Sequence, residues 1–208
     1  MSDGFLSLHI AFLVGALAAF ADCSILAPRP DPSRYFVLEA VTAQDALPVQ
    51  SAGSASIGLG PIRLPDYLID RREMIRRRGP TEVAPSTIDR WAEPLDGAIP
   101  RILGLDLSAQ LGKRPVILYP WYETQEPDCQ VVVDFERFEI DADGNAALVA
   151  RFEVRGMHGG RRRLYRETRA FWPPVTREPA AFAAALSQTL AHLGRDIAVA
   201  IQELEATS

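Results

Sequence analysis

A chain of 208 residues, 48% hydrophobic and 24% charged, has the make-up of an ordinary globular protein, with enough length for one well-buried domain. Its formal charge of −5, from 22 basic and 27 acidic side chains, argues against a general polyanion binder, which would carry surplus cations to displace counterions from phosphate. The runs Arg71-Arg72, Arg76-Arg77-Arg78 and Arg161-Arg162-Arg163 are therefore expected to be solvated faces with no nucleic-acid role.

Phe5 to Ala21 holds no formally charged side chain, and His9 is its one ionisable group. Seventeen residues fall short of the roughly 20 a spanning helix needs and suit the core of a secretory signal. The stretch ends at Asp22-Cys23, where a lipoprotein signal would end in a small residue and an acylated cysteine. Residues 1–22 are thus predicted to be a degenerate lipoprotein signal and Cys23 the lipidated residue. An uncleaved anchor, or a start codon assigned at the wrong place, remains the alternative, because Asp22 replaces the usual small residue and no Lys or Arg precedes the apolar core. Loss of residues 1–22 removes Asp3 and Asp22 and leaves a formal charge of −3. Acylation of Cys23 would leave Cys129 as a single thiol, and a Cys23–Cys129 bridge is the competing arrangement.

Residues 23–34, with prolines at 28, 30 and 32, read as an extended tether, and residues 35–206 as the folded domain. Tyr35 to Val41 is rich in β-formers and predicts a first strand; Ile57, Leu59 and Ile62 predict a second that stops at Pro65. Glu73 to Arg78 predicts a third whose arginines point to solvent from a sheet margin. From Ser86 onward the period changes, and Leu95, Ile99, Ile102, Leu103, Leu107 and Leu111 line one face of a helix ending near Gly112, with Pro100 an awkward member. Strands are expected at Val116–Trp121, Gln130–Ile140, Ala146–Arg155 and Arg162–Trp172. The turn at Asp141 to Asn145 and the pair Gly159-Gly160 mark antiparallel hairpins. Phe182, Leu186, Leu190, Leu193, Ile197, Ile201 and Leu204 then form the stripe of a long helix that packs on the sheet. The fold class expected is α/β (α+β): one domain with a mixed, largely antiparallel sheet, a central helix and a long C-terminal helix.

Chemistry is sparse. His9, His158 and His192 fall in the leader, a turn and the last helix, and no His-x-x-x-His or Cys-x-x-Cys supports a zinc site. Gly112-Lys113 lacks the remaining residues of a phosphate loop, and no Gly-x-Ser-x-Gly elbow occurs. Asp134 and Glu136 share one side of a strand, where acid/base catalysis and an ordinary exposed face are both open readings. No cofactor is expected.

Four stretches, "IGLGPIRLPDYLIDRREMIRR" (57–77), "DRWAEPLDGAIPRILGLDLSAQLG" (89–112), "VILYPW" (116–121) and "VVVDFERFEID" (131–141), in this order and spacing, resemble the motifs of the PqiC-type ABC-transport auxiliary lipoproteins. The likeness runs from Cys23 to the final helix, and Asp22 and Pro100 are the departures from it. It implies a periplasmic subunit held to the outer membrane at Cys23. Such a subunit serves an MCE-type system that moves lipids or other hydrophobic molecules, acting by binding and docking and not as an enzyme. The partners implied are the MCE-domain protein of the same system, the membrane through the anchor and, as a further option, other copies of the chain. ATP hydrolysis falls to another subunit. Pro61, Leu64, Pro65, Tyr67, Leu68, Trp91, Glu93, Pro94 and Leu95 carry the family motifs and are expected to be structural. Tyr119, Trp121 and Tyr122, around the strand-breaking Pro120, are the candidate partner-binding residues, with Trp121 as a simple core cap the equal alternative. A carboxylate-dependent periplasmic hydrolase and a stand-alone lipid carrier are the rival functions.

Overall fold

The computed structural model describes residues 30–41, 55–122, 126–157 and 162–206. The chain divides into two units, Met1–Pro32 and Ser33–Ser208, and all the elements below belong to the second. In chain order they are β1 (Arg34–Phe36), β2 (Ile57–Arg63), a 3-10 turn (Asp66–Leu68), β3 (Glu73–Arg77), β4 (Val83–Trp91), α1 (Leu95–Gln110), β5 (Val116–Leu118), β6 (Cys129–Ile140), β7 (Ala146–Gly156), β8 (Arg163–Trp172) and α2 (Pro179–Ala206).

One open, mixed sheet of eight strands is organised around β6. One edge of β6 pairs along its full length with β7, which pairs with β8, both antiparallel. Its other edge is shared: the first half pairs with β2 (Ile57↔Cys129 to Arg63↔Asp134) and the far end touches β3 at Arg76↔Ile140, both parallel. β5 lies parallel outside β2, and β4 and β1 continue outward from β3. The long ladders are antiparallel as the hairpin signals predict, while the shorter pairings of β1, β2, β3 and β5 are mostly parallel. The Asp141 turn forms as expected. Gly144 takes φ +87°, its amide reaches Asp141 O at 3.0 Å, and Asp141 Oδ1 accepts from Asn145 N–H at 2.8 Å. Gly159-Gly160 lies outside the described residues.

Both helices cover one face. All six apolar residues predicted for α1, and all seven of the α2 stripe, are buried, Leu204 being the most exposed of them at 7%. They close against Val131, Val133, Phe152 and Val154 of the sheet's inner face. At about 25 cal/mol per Å² of apolar surface this layer is the main source of stability.

Three expectations need correction. The first strand stops at Phe36, because Glu39 N–H donates to Ser187 Oγ (3.1 Å) and Val41 N–H to Asp106 Oδ1 (2.8 Å), so these amides serve helix side chains and no ladder. Ser86 to Trp91 does not join the helix; it ends the nine-residue β4, and α1 starts only after Pro94. The segment after β5 leaves the sheet at Leu118, three residues before the predicted end. Pro100 sits beyond the first turn of α1, which nevertheless continues to Gln110.

Candidate functional site

The arginine segment is solvated only in part: Arg71, Arg72 and Arg78 are exposed as predicted, while Arg76 and Arg77 are half-buried and engaged. Arg76 lies over the Phe182 ring, 4.3 Å from its centroid. Arg77 donates from Nε to Glu139 Oε1 at 2.6 Å and reaches Pro80 O, and Arg72 binds Ala92 O at 2.8 Å. Arg78 stays exposed, 3.9 Å from Glu82.

Glu139 explains the neighbouring corner. Its side chain is fully buried and accepts from Arg77, from Arg137 Nε (3.0 Å) and from Tyr67 OH (2.7 Å). Burial would lift this carboxyl, but the three donors outweigh it and hold its pKa below the usual value. Burial, and then the bond to Glu139, raises the Tyr67 phenol. The Pro65–Leu68 turn, closed by Leu68 N–H to Pro65 O at 2.9 Å, therefore places Tyr67 over a buried charge and Leu68 in the core at 1% exposure. Leu64 packs on the same core. Trp91 is buried at the end of β4, Ala92 N–H bonds Phe36 O, Pro94 caps α1, Leu95 is buried, and Glu93 pairs with Arg101.

The aromatic loop after β5 is built on glycines of β2. Tyr119 N–H donates to Leu59 O at 2.9 Å, laying the chain across the sheet. A Cβ at Gly58 would come within 2.5 Å of Pro127 Cγ and 3.0 Å of the Trp121 ring. One at Gly60, where φ is +125°, would lie 2.6 Å from Tyr119 Cβ. Only glycine allows this approach. Trp121 is half-buried on that floor and meets Tyr119 edge-on at 5.3 Å, while Tyr119 (54% exposed) and Tyr122 (80%) face solvent. Trp121 is thus the seated member of an exposed knuckle. Buried Gln130 braces the floor, donating to Gly60 O at 2.7 Å and accepting from Arg155 Nε at 2.7 Å.

Pro61 lines an open groove of about 580 Å³ on β2, β6, β7 and β8. Pro61, Val132, Phe152 and Tyr165 supply its apolar surface, and it carries ion pairs, Arg63 with Asp134 at 2.9 Å and Arg151 with Glu167 at 3.3 Å. Asp134 and Glu136, the two carboxylates considered for acid/base work, are each occupied by an arginine, Glu136 by Arg151 at 2.6 Å. Among the described residues no group of three His, Cys, Asp or Glu side chains is placed to hold a metal ion, and no helix is long and apolar enough to cross a membrane. Cys129 is a free, buried thiol pushed up to about 12 by burial. Cys23 lies outside the described residues.

Sequence reasoning missed the buried polar set. Asp106 and Gln110 occupy the apolar stripe of α1 at helical spacing from Ile102 and Leu103, which is the signal that could have found them. Glu139 carried no comparable signal, because its partners come from β3, β6 and the 3-10 turn.

A family model described as ABC-type transport auxiliary lipoprotein component matches residues 36–198, from the end of β1 into α2. The chain belongs to this family. Two solved structures share the fold of this auxiliary lipoprotein. One, of an uncharacterized protein, has a TM-score of 0.66 at 18% identity over 81% of this chain and 98% of its own. The other, a Xanthomonas campestris protein of family model DUF330, has a TM-score of 0.59 at 17% identity over 85% and 97%. A PelC dodecamer from Paraburkholderia phytofirmans aligns with a TM-score of 0.36 at 14% identity over 71% of this chain and 92% of its own. No curated protein matches the chain.

Proposed function

We propose that this auxiliary lipoprotein is the outer-membrane-anchored, periplasm-facing docking subunit of an MCE-type system that moves lipids or other hydrophobic molecules. Cys23 is its lipidated residue, and the Tyr119–Tyr122 knuckle is the surface that meets the MCE-domain partner. The observation carrying this reading is the knuckle itself. In a transport auxiliary family, two tyrosines stand exposed on a loop whose tryptophan is seated on Gly58. Tyr119 and Trp121, packed edge-on before binding, lose little entropy when a partner covers them. The ion-paired state of Asp134 and Glu136 favours docking over a carboxylate hydrolase, since each carboxylate would first have to shed an arginine.

The test is co-purification of the intact chain with the MCE-domain protein of its own transport system. A Tyr119→Ala/Tyr122→Ala variant removes exposed rings and should keep the wild-type melting temperature while its affinity drops at least tenfold, each ring contributing about 1–2 kcal/mol. Undiminished association by a folded variant would remove the knuckle from the interface.

A further inference from the structure

After β1 the chain runs as a strap, residues 37–41, over the helices. Glu39 N–H is held by Ser187 of α2 and Val41 N–H by Asp106 of α1, with Leu38 buried between β1 and these bonds. Strap and α2 together bound a groove of about 460 Å³, lined among others by Tyr35, Val37, Ala40, Ala183 and Ser187. Lifting the strap would remove one wall of that groove.

Asp106 is an unusual peg for such a strap. It is 2% exposed, and one carboxyl oxygen, Oδ2, has no hydrogen-bond partner among the described residues; neither has Gln110 Oε1, one turn further along the same helix face. A proton on the carboxyl would turn Oδ2 into a donor for an acceptor one turn away, such as Gln110 Oε1. Among the described residues no cation is paired with Asp106, whose one hydrogen-bond partner is the Val41 amide. Of the charged groups on the elements packed around it, exposed Glu39 comes from the strap. From α2, around Gly194, come His192, Arg195 and Asp196. His192 lies 3.8 Å from Asp196, Asp196 accepts from Thr168, and buried Arg195 Nε is itself without a partner. Arg114, beyond the end of α1, is committed to Glu205 and Ala55 O.

We propose that Asp106 is a proton-operated latch, protonated when the strap is closed on the helices and ionised when the strap lifts and lets the carboxylate reach water. Burial, offset in part by the Val41 amide, holds the closed-state carboxyl at about 7, against 3.8 for a carboxyl in water. A group whose pKa is raised in the closed state favours closure on the acid side, and that preference is lost as pH rises through 7. Between pH 5 and pH 8 the opening constant should therefore grow by a factor on the order of 100.

Amide hydrogen exchange on the intact chain tests this, read at Val41 and Glu39 and corrected for the intrinsic pH dependence of exchange. Leu190, in the core of α2, serves as the reference for global unfolding. The latch requires strap protection to be tens of times lower at pH 8 than at pH 5 while staying far below that of Leu190 at both pH values, so that the strap opens without global unfolding, and it requires Asp106→Asn to abolish the difference. Ser187→Ala should lower strap protection equally at both pH values. Strap protection independent of pH, strap protection equal to that of Leu190, or an unchanged pH effect in Asp106→Asn would each overturn the proposal. Should Asp106→Asn fail to fold, a carboxyl carbon titration of the wild-type chain decides: a midpoint near 4 for Asp106 rules the latch out, and one near 7 supports it.

Discussion

Glu139 is the side chain on which the Tyr67 corner depends, because a carboxylate without water is tolerable only while Arg77, Arg137 and Tyr67 all donate to it. Glu139→Ala would strand Arg77 beside a half-buried phenol, and we expect it to cost about 3 kcal/mol in denaturant unfolding at pH 7. Glu139→Gln keeps an acceptor for one donor and should cost less. The sign of the pH effect follows from the depressed pKa. Glu139 contributes fully above the unfolded carboxyl value, near 4.5, and that contribution is lost as pH falls through the folded value. The unfolding midpoint of the wild type should therefore fall on acidification below about pH 4.5, and Glu139→Gln should show a shallower acid limb. Asp106 tilts stability the opposite way, so one chain carries two buried acids of opposed pH dependence.

Between elements, the informative contacts are those where a motif residue exists for the sake of a distant segment. Gly58→Ala pushes a methyl group into Trp121 and Pro127, and we expect a loss of about 1–3 kcal/mol together with a red-shifted Trp121 emission as the ring lifts from its floor. Arg114 joins three elements, binding Ala55 O ahead of β2 and Glu205 at the end of α2, with its own side chain 3% exposed. Arg114→Lys cannot reproduce the fork. It should lower the midpoint by about 2 kcal/mol and loosen the last turn of α2 in hydrogen exchange. The same contacts mark what the sequence could disclose. The α2 stripe, the α1 face and the β6–β7 hairpin are local periodicities with a 3.6 or 2.0 repeat, so they were legible. The strap was not, because Tyr35 to Val41 has strand composition and its fate is decided by Ser187 and Asp106, 148 and 65 residues away. β4 was hidden because Ser86, Asp89 and Arg90 use their side chains locally and across to β3, which blurs the alternation. The aromatic knuckle was visible as residues, but its seating on Gly58 and Gly60 depends on the parallel pairing of β2 and β5, which no local pattern encodes.

At the scale of the molecule, one face of the sheet serves stability, and the knuckle proposed for docking stands away from it. Both helices cover the inner face, while the knuckle stands at the end of β5. Anchoring is the second whole-molecule property. An acylated Cys23 would bury many methylenes at about 0.8 kcal/mol each, so wild-type chain should sediment with membranes and incorporate labelled fatty acid, and Cys23→Ser should do neither. A chain that keeps residues 1–22 and takes up no label would contradict that assignment. Docking through the knuckle is the central claim. Its most direct test is site-specific photo-crosslinking in intact cells, with the crosslinking amino acid placed at Tyr122 or, as an exposed control remote in sequence, at Val175 (98% exposed). The account predicts a crosslink from position 122 to the MCE-domain protein and none from position 175; crosslinks from 175 alone would contradict it.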